Sequence, residues 1–232
     1  MLSIIIPTKN EEECLQKLLD SIKMQNLKDI EIIIADADST DKTREIAKKY
    51  YCKIVKGGMP AKGRNEGAKQ SNGENFVFID SDVILPDGFL KAALKEFNER
   101  NLDIAGTLQF PISTGNRLKD LEYRIIYTIG NRWMKRMENT KKPYMQMCMF
   151  VKKEIHKKIG GFNEKIIYAE DSEYAKRASK NGKFGILRAG KIMNSPRRFE
   201  REGLKFFLKL TYFNIGRFFG HEFTENSRTK YF

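Results

Sequence analysis

The fold is decided by the stretch Phe76-Val77-Phe78-Ile79-Asp80-Ser81-Asp82, in which an apolar run ends in two carboxylates separated by one residue. The four apolar residues are typical of a buried strand. In an extended chain, residues i and i+2 point the same way, so both acids can face one hard cation just past the strand. Mg²⁺ and Mn²⁺ favour such oxygen ligands, with substrate phosphates completing the shell. The alternative is that the aspartates only open the turn before Pro86-Asp87-Gly88.

Length and composition indicate one large α/β domain. The chain has 232 residues, of which 41% are hydrophobic and 31% are charged, and this excludes the disordered and collagen-like classes. Residues 1–7 lack the length and the basic region of a signal peptide, and no stretch approaches the roughly 18 apolar residues of a spanning helix. Three isolated cysteines favour a reducing compartment. We therefore expect a cytoplasmic protein.

The net charge of +13 predicts attraction to an anionic partner. Nucleotide phosphates, an acidic membrane surface and nucleic acid all fit this charge. Charge alone does not rank the three.

Short β-branched runs alternate with helical stretches in the first half, which is typical of a parallel sheet wrapped by helices. The expected strands are residues 2–6, 30–35, 52–55 and 76–79. Asn10 has the features of a helix N-cap, and a glycine-rich loop precedes a helix expected at residues 64–69. Because ligands bind at the carboxyl ends of such strands, the polar loops between elements should converge on one crevice. The loops concerned are residues 7–11, 36–41 and 80–82.

The second half is less regular. The pattern predicts a strand at 103–108, a long helix at 117–138 and an apolar segment at 144–151 that returns to the sheet. Another helix is expected to open at Ala169. The tail at 202–219 predicts a helix unusually rich in aromatic and basic residues.

Together these segments resemble a family 2 glycosyltransferase of the GT-A fold over roughly residues 2–190. Each motif is weak alone, but their order and spacing are specific. The motifs are Ser-Ile-Ile-Ile-Pro-Thr-Lys-Asn-Glu-Glu (3–12), Ile-Ala-Asp-Ala-Asp-Ser-Thr-Asp-Lys-Thr (34–43), Gly-Arg-Asn-Glu-Gly-Ala (63–68), Phe-Ile-Asp-Ser-Asp (78–82), Gly-Gly-Phe-Asn-Glu (160–164) and Glu-Asp (170–171). The resemblance implies a mostly parallel central sheet flanked by helices. It divides the catalytic domain, 1–190, into a nucleotide-binding half (1–110) and an acceptor-binding half (111–190), followed by a helical tail at 191–232.

The resemblance also assigns residues to the nucleotide donor. Pro7, Lys9 and Glu11 match the loop under the nucleoside, where Glu11 can accept from a ribose hydroxyl. Asp36 matches the strand-end acid that recognises the base or ribose. Asp38 is also expected to contact the donor. It stands where the family often has glycine, and Ala37 stands where a second aspartate is frequent, so the identity of the base stays open.

Further donor contacts follow the glycine-rich loop. Arg64 and Asn65 match residues near the nucleotide, and a basic residue at a helix start would reinforce the amide groups that attract phosphate there. Asp80, Ser81 and Asp82 match the DXD motif, whose two aspartates bind a divalent cation, Mn²⁺ or Mg²⁺, that neutralises the leaving diphosphate.

The catalytic assignment rests on Glu170 and Asp171, which match an acidic pair at the start of an acceptor-side helix. Asp171 is the expected general base and Glu170 its neighbour or a sugar contact. The alternative is that both acids only favour a helix N-terminus.

Arg197 and Arg198 follow a proline turn and could close over the diphosphate. The chain lacks the Gln-x-x-Arg-Trp signature of processive synthases, so transfer of a single sugar is expected. Of the two histidines, His156 sits among lysines and is expected in solvent, whereas His221 is a weak candidate for a metal or phosphate contact.

The tail suggests an interfacial helix on the cytosolic face of an acidic membrane. Packing against the sheet or against a second subunit, as a homodimer, is the alternative. A membrane location would suit a lipid-linked glycan acceptor.

The sequence thus predicts a metal-dependent, inverting glycosyltransferase that uses a nucleotide-diphospho-sugar, UDP-linked rather than GDP-linked by family frequency. A sugar nucleotidyltransferase is one alternative, but it should carry a glycine-rich loop with arginine near the amino terminus. A non-catalytic basic module that binds RNA or membrane is the other. It would leave the aspartates unexplained, so no nucleic-acid partner is expected.

Overall fold

The structure, a computed structural model, describes residues 1–140, 143–145, 147–167, 169–197 and 200. The strands in this part are β1 (Leu2–Thr8), β2 (Ile30–Asp36), β3 (Lys53–Lys56), β4 (Asn75–Ile79), β5 (Val83–Ile84), β6 (Ile104–Pro111), β7 (Cys148–Lys152) and β8 (Phe184–Asn194). The helices are α1 (Glu12–Met24), α2 (Thr43–Lys49), α3 (Pro60–Lys69), α4 (Phe89–Glu99), α5 (Arg117–Met137), α6 (Lys153–Lys158) and α7 (Glu170–Ala178).

The strands form one sheet in the order β3-β2-β1-β4-β7-β6-β8-β5. Strands β3, β2, β1 and β4 run parallel to one another, and β6 is parallel to β8. Strand β7 runs antiparallel to both β4 and β6, and β5 runs antiparallel to β8. The sheet is therefore mixed, with parallel pairs predominating among the described strands, as the sequence predicted.

Both faces of the sheet are covered, which explains why its central strands read as continuous apolar runs. Val77 and Ile79 point to the face covered by α1, α2 and α4, where they join a core with Leu18 and Phe97. Phe76 and Phe78 of the same strand point to the other face, where α3, α6 and α7 pack. Burying alternate residues on opposite faces fixes the register of each strand.

Helix α3 lies unusually close to β1 because glycine faces the strand. A Cβ atom built on Gly67 would lie 2.4 Å from Cγ2 of Ile5, a distance that no side chain allows. Gly63, one turn earlier, faces Pro7 at 3.2 Å in the same way. This approach brings Arg64, which directly follows Gly63, close to the carboxyl ends of the strands.

Several predicted boundaries are wrong. Helix α3 begins at Pro60, four residues before the expected start at 64. The predicted domain boundary at 190 falls inside β8, which pairs with β6 as far as Asn194. Asn10 is not an N-cap, since it has φ 54° and its Oδ1 accepts from the Thr40 amide at 2.9 Å, so it ties two loops together instead.

Other expectations lie outside the described residues. These are the tail helix at 202–219, Arg198 and His221. Within the described part of the chain, no helix combines the length and the apolarity needed to cross a membrane.

Candidate active site

The carboxyl ends of β1, β2 and β4 meet at one edge of the sheet, as the sequence predicted. Thr8 is in register with Asp36 across β1 and β2, and β4 ends at Ile79, directly before Asp80. Strand β7 begins at Cys148 opposite Ile79, so the segment before β7 reaches the same edge. The edge therefore brings loops from both halves of the chain into one site.

Arg64 lies at the centre of this site. Its side chain is only 2% exposed. Its Nη2 donates to Asp80 and its Nη1 to Glu170, both at 2.8 Å, and Nη1 also lies 3.2 Å from Oδ1 of Asp171. Because an unpaired buried charge is costly, this guanidinium is held by acids. The expectation that Arg64 opens a helix and assists its amide groups is wrong, since it lies in the second turn of α3. Its contact with donor phosphates stays a prediction.

The electrostatics of the cluster favour a proton on Asp171. Burial raises the pKa of Asp171 to about 7, with Glu170 and Asp80 adding to the rise and Arg64 opposing it. Burial alone would lower the pKa of Arg64, but the carboxylates of Asp171, Asp80 and Glu170 raise it, so the arginine stays charged. A carboxyl group whose pKa lies near neutrality can take up and release a proton under working conditions.

Two strained backbone positions support the acids, and sequence reasoning missed both. Met147 has φ 60°; its carbonyl accepts from the Asp80 amide at 3.0 Å, and its own N–H donates to the Asp171 carboxylate. Ala169, directly before the acidic pair, has φ 57°. Neither residue type favours this left-handed region, and such outliers cluster at functional sites. No sequence signal marks them, because neither is glycine or asparagine.

Asn65 organises the Gly-Gly-Phe loop. Its Nδ2 donates to the Phe162 carbonyl at 2.9 Å and to Glu164 at 2.8 Å, while its Oδ1 accepts from the Phe162 amide at 2.8 Å. The loop turns at Gly161, whose φ of +72° and close approach to Asn65 leave no room for a side chain. Phe162 then covers the guanidinium of Arg64, with its ring centroid 5.4 Å from Cζ. The contact of Asn65 with the donor stays a prediction.

The loop after β2 is built around Asp36. This acid is buried, and its Oδ2 accepts from the Ser39 amide at 3.0 Å and from Nε of Arg44 at 2.6 Å. Burial alone would raise the pKa of Asp36, but these hydrogen bonds hold it below its usual range. Asp38, with φ 56°, is 75% exposed and lies 3.3 Å from Arg44. As arranged here, Asp36 shapes the loop and Asp38 is the carboxylate that faces solvent.

The first loop meets the end of β8 through Arg197. Its Nη2 donates to the Glu11 carboxylate, and its Nε lies 3.8 Å from Oδ2 of Asp82. Pro7 and Lys9 flank this loop, with Lys9 exposed. The structure therefore brings Glu11 of the first loop together with Asp82 of the DXD segment through Arg197.

Asp80 and Asp82 are joined by a turn rather than by an extended segment. The Val83 amide donates to the Asp80 carbonyl at 3.4 Å, and Ser81 is buried within this turn. The strand rule used to orient the two acids therefore does not apply. The alternative is not confirmed either, because β5 (Val83–Ile84) separates this turn from Pro86-Asp87-Gly88. Each acid lies beside a different guanidinium, that of Arg64 or that of Arg197.

The donor set is compatible with Mg²⁺ or Mn²⁺. Among the described residues, no group of three or more His, Cys, Asp or Glu side chains is arranged to hold a metal ion. Two carboxylates are nevertheless sufficient where substrate phosphates and water supply the other ligands. The guanidinium groups beside Asp80 and Asp82 show that both acids lie where a cation is favoured.

His156 is not in solvent, contrary to the expectation from its lysine neighbours. It is buried, and its Nδ1 lies 2.9 Å from the Tyr174 hydroxyl inside a cluster of aromatic rings. Burial, together with the smaller effect of the Arg177 charge, lowers the pKa of His156 to about 4. The side chain is therefore neutral and supports the core beneath Phe162 and α7.

Comparisons with known proteins identify the family. The family model described as Glycosyl transferase family 2 matches residues 3–160. A β-1,3-glucosyltransferase of Campylobacter jejuni, named for GalNAc(5)-diNAcBac-PP-undecaprenol, is 32% identical over 114 residues, which are 45% of this chain and 37% of the relative.

Solved structures share the fold. Staphylococcus aureus TarS 1-349 in complex with UDP-GlcNAc superposes with a TM-score of 0.67 at 23% identity, over 84% of this chain and 58% of that chain. A mannosyltransferase from Pyrobaculum calidifontis, in complex with GDP-Man and Mn²⁺, gives a TM-score of 0.64 at 20% identity, over 84% and 56%. At these identities the likeness concerns the fold, and it confirms the predicted GT-A architecture.

The chain spans less than two thirds of the length of each of these three proteins. The family model nevertheless covers more than half of the chain and includes Glu11, Asp36, Asp80 and Asp82. The chain belongs to glycosyl transferase family 2.

Proposed function

We propose that this protein transfers a single sugar from a nucleotide-diphospho-sugar to an acceptor hydroxyl, with inversion at the anomeric carbon. One observation carries the proposal: Arg64 contacts Asp80 at 2.8 Å and Asp171 at 3.2 Å. Asp80 follows the strand of the nucleotide-binding half, and Asp171 opens a helix of the acceptor-binding half. Two acids suited to opposite ends of a displacement therefore belong to one cluster.

The chemistry of each acid follows from its surroundings. Asp171 is the proposed general base, because burial raises its pKa to about 7 and so makes its carboxylate a stronger base than an exposed one. It takes the proton of the acceptor hydroxyl while that oxygen forms a bond to the anomeric carbon. The bond from that carbon to the diphosphate oxygen breaks on the opposite face, and the nucleoside diphosphate leaves with the electron pair.

Asp80 and Asp82 are the residues that would hold the divalent cation, Mn²⁺ or Mg²⁺. When bound, the cation neutralises the charge that develops on the leaving diphosphate. Arg197 adds a guanidinium beside Asp82, at 3.8 Å, where it could contact the same diphosphate. The Mn²⁺ in the complex of the Pyrobaculum relative supports the choice of metal.

The donor is proposed to be UDP-linked rather than GDP-linked. TarS is described in complex with UDP-GlcNAc and the Pyrobaculum enzyme with GDP-Man, so both bases occur on this fold. The first relative is named for a glycan on diphospho-undecaprenol. We propose that the acceptor for this chain is also a lipid-linked glycan and that the protein binds peripherally to the membrane.

A thermal-shift screen tests donor and metal together. The full chain is heated with UDP, GDP and their sugars, each with Mn²⁺ and with EDTA. Binding to the native state raises its apparent stability, so UDP compounds with Mn²⁺ should raise the melting temperature most. No rise with any nucleotide would overturn the proposal, and a larger rise with GDP compounds would overturn the donor choice.

Two matched variants distinguish a metal ligand from a carboxylate that only adds negative charge near the site. Asp82→Asn should abolish the effect of Mn²⁺ on nucleotide binding. Asp87→Asn removes the same charge from the exposed turn that follows, and should behave like the wild type. Equal behaviour of the two variants would remove Asp82 from the metal site.

Transfer is then measured on a synthetic polyprenyl-diphosphate saccharide and on the same saccharide without lipid. Nuclear magnetic resonance of the product reports the anomeric configuration. A product with the configuration of the donor would contradict inversion, and preference for the lipid-free saccharide would contradict a lipid-linked acceptor.

A further inference from the structure

Helix α5 carries apolar side chains on two opposite faces. Its inner face, with Tyr123, Tyr127 and Met134, is buried against the sheet. Five further apolar residues at intervals of three or four form a second row, which we call the outer α5 stripe, and in the described part of the chain they are between 49% and 80% exposed. The outer α5 stripe consists of Leu118, Leu121, Ile125, Ile129 and Trp133. A helix that only covers the sheet needs no such second face.

The concentration of exposed apolar residues on one helix is unusual. The other large hydrophobic side chains that are exposed among the described residues are scattered, at Met1, Met24, Tyr51 and Met59. Single exposed apolar residues are normal, whereas a contiguous patch marks an interaction surface. The outer α5 stripe therefore needs an occupant.

The charges around the stripe identify the occupant. The exposed cations of α5 are Arg117, Lys119, Arg124, Arg132, Lys135 and Arg136. Glu122 is the one exposed acid of this helix, since Asp120 is partly buried and accepts from Ser113 and Thr114 at the amino end. A second copy docked face to face would bring like charges together. An anionic surface is complementary to both the helix and the net charge of +13.

We propose that the outer α5 stripe docks on an acidic lipid bilayer, with α5 lying in the plane of the interface. The apolar side chains would enter the boundary between headgroups and acyl chains, and Trp133 suits the headgroup level. The flanking arginines and lysines would contact anionic headgroups.

The position of α5 links this surface to the active site. Asn131 makes two hydrogen bonds to the backbone of Gln109, at 3.0 Å and 2.7 Å, and so fixes α5 to β6. The Tyr127 hydroxyl accepts from Asn194 at 2.7 Å, and the next residue, Ser195, donates its amide to the Asp82 carbonyl at 3.1 Å. A membrane bound to the outer α5 stripe would therefore hold the site at a constant distance from the bilayer.

Flotation with vesicles tests the proposal and does not depend on any transfer activity. The full chain is mixed with vesicles of phosphatidylcholine alone or of equimolar phosphatidylcholine and phosphatidylglycerol. Floating with the acidic vesicles, and much less with the neutral ones, is expected. The double variant Leu121→Asp with Ile129→Asp should lose about tenfold or more in binding, since two apolar side chains no longer enter the interface.

Tyr51→Asp is the matched control, because Tyr51 is 96% exposed and lies next to β3, the outermost strand on the side of the sheet away from β6 and α5. It should float as the wild type does. A charge variant, Arg132→Glu with Arg136→Glu, should reduce binding to acidic vesicles only.

Three outcomes would overturn the proposal. One is failure of the wild type to float with acidic vesicles. Another is a fall in melting temperature in the Leu121 and Ile129 variant, because the stripe would then be covered within the chain, for example by residues 201–232. The last is a change of oligomeric state in that variant, which would assign the stripe to a second copy. In each case the thermal-shift response to nucleotide and Mn²⁺ tests the proposed function separately.

Discussion

Asp80 and Asp171 come from opposite halves of the chain and contact the same guanidinium, that of Arg64, at 2.8 Å and 3.2 Å. The two acids therefore depend on one buried cation for their position and for their ionisation. Glu170, at 2.8 Å from the same group, makes a third carboxylate around it. This arrangement makes Arg64 the residue whose loss should disturb both proposed ends of the reaction.

Arg64→Met should be strongly destabilising. It replaces the buried cation by an apolar side chain of similar length and leaves three carboxylates facing one another. Breaking a buried ion pair by removing one partner costs about 3–5 kcal/mol. Because protonation relieves the repulsion, the deficit in the free energy of unfolding should shrink between about pH 7.5 and about pH 5. Urea unfolding at the two pH values measures both effects.

Lys95→Met is the control for this substitution. Lys95 is exposed and lies 3.7 Å from Glu99 on the surface of α4, so its loss should cost about 0.5 kcal/mol or less. If Arg64→Met behaved like Lys95→Met at both pH values, the cluster would not hold the acids as described.

The parallel half of the fold was predictable mainly because β1 and β4 are buried on both faces and read as apolar runs. β8 was missed because its middle, from Arg188 to Lys191, is mostly exposed, interrupts the apolar pattern and contains the irregularity opposite Thr107 and Leu108. Two-residue β5 is too short to leave a pattern. Local sequence does not encode partners that lie far along the chain.

The candidate site was predictable in its acids and not in its cation. Loops that follow parallel strands must meet, so Glu11, Asp36 and Asp80 could be grouped from the sequence. The burial of Arg64 could not be, because arginine is usually exposed and its partner Glu170 lies 106 residues away. His156 was misjudged because its neighbours are lysines, whereas α6 turns both Ile155 and His156 inward.

Asn65→Asp should loosen the loop that covers Arg64. The new carboxylate could still accept from the Phe162 amide but could not donate to its carbonyl, and it would repel Glu164. Losing these bonds while leaving a carbonyl unpaired should cost about 2 kcal/mol in the free energy of unfolding. Denaturant unfolding measures the loss.

Asn163→Asp is the matched control in the same loop. The Oδ1 of Asn163 accepts from the Lys165 amide at 3.1 Å, a bond that aspartate can also make. Its free energy of unfolding should stay close to that of the wild type. Similar losses in both variants would mean that added charge, rather than the bonds of Asn65, determines the effect.

Arg197→Gln should change metal and donor binding in opposite directions. Without donor, the guanidinium near Asp82 disfavours a second cation there, so its removal should tighten binding of Mn²⁺ alone. With donor, the variant lacks a cation proposed to contact the diphosphate, so donor affinity should fall about tenfold. Calorimetric titrations with Mn²⁺ and with UDP-sugar measure the two affinities.

Lys49→Gln removes one positive charge from the exposed end of α2 and should change neither affinity. If Arg197→Gln weakened the binding of Mn²⁺ and of donor together, Arg197 would support the structure of the site rather than contact the diphosphate.

Transfer should require Asp171 in its ionised form. Because burial, followed by the charges of Glu170 and Asp80, raises the pKa of Asp171 to about 7, the transfer rate should fall as the pH drops below that value. Asp171→Asn should lower the rate by about 10²- to 10⁴-fold, as expected for loss of a general base, while donor binding persists. Wild-type rates in this variant would remove Asp171 from the base assignment.

Glu170→Gln tests the cause of the raised pKa. Removing a neighbouring negative charge should lower the pKa of Asp171 and move the acidic limb of the rate profile to lower pH.

Stability gives an independent measurement. A carboxyl group whose pKa rises on folding, here from 3.8 to about 7, favours the folded state at low pH and loses that contribution as the pH rises through this window. Asp171→Asn should therefore gain stability relative to the wild type above about pH 7 and show no gain near pH 4. The opposite trend, with the gain at acidic pH, would mean that Asp171 is ionised and stabilising in the folded protein.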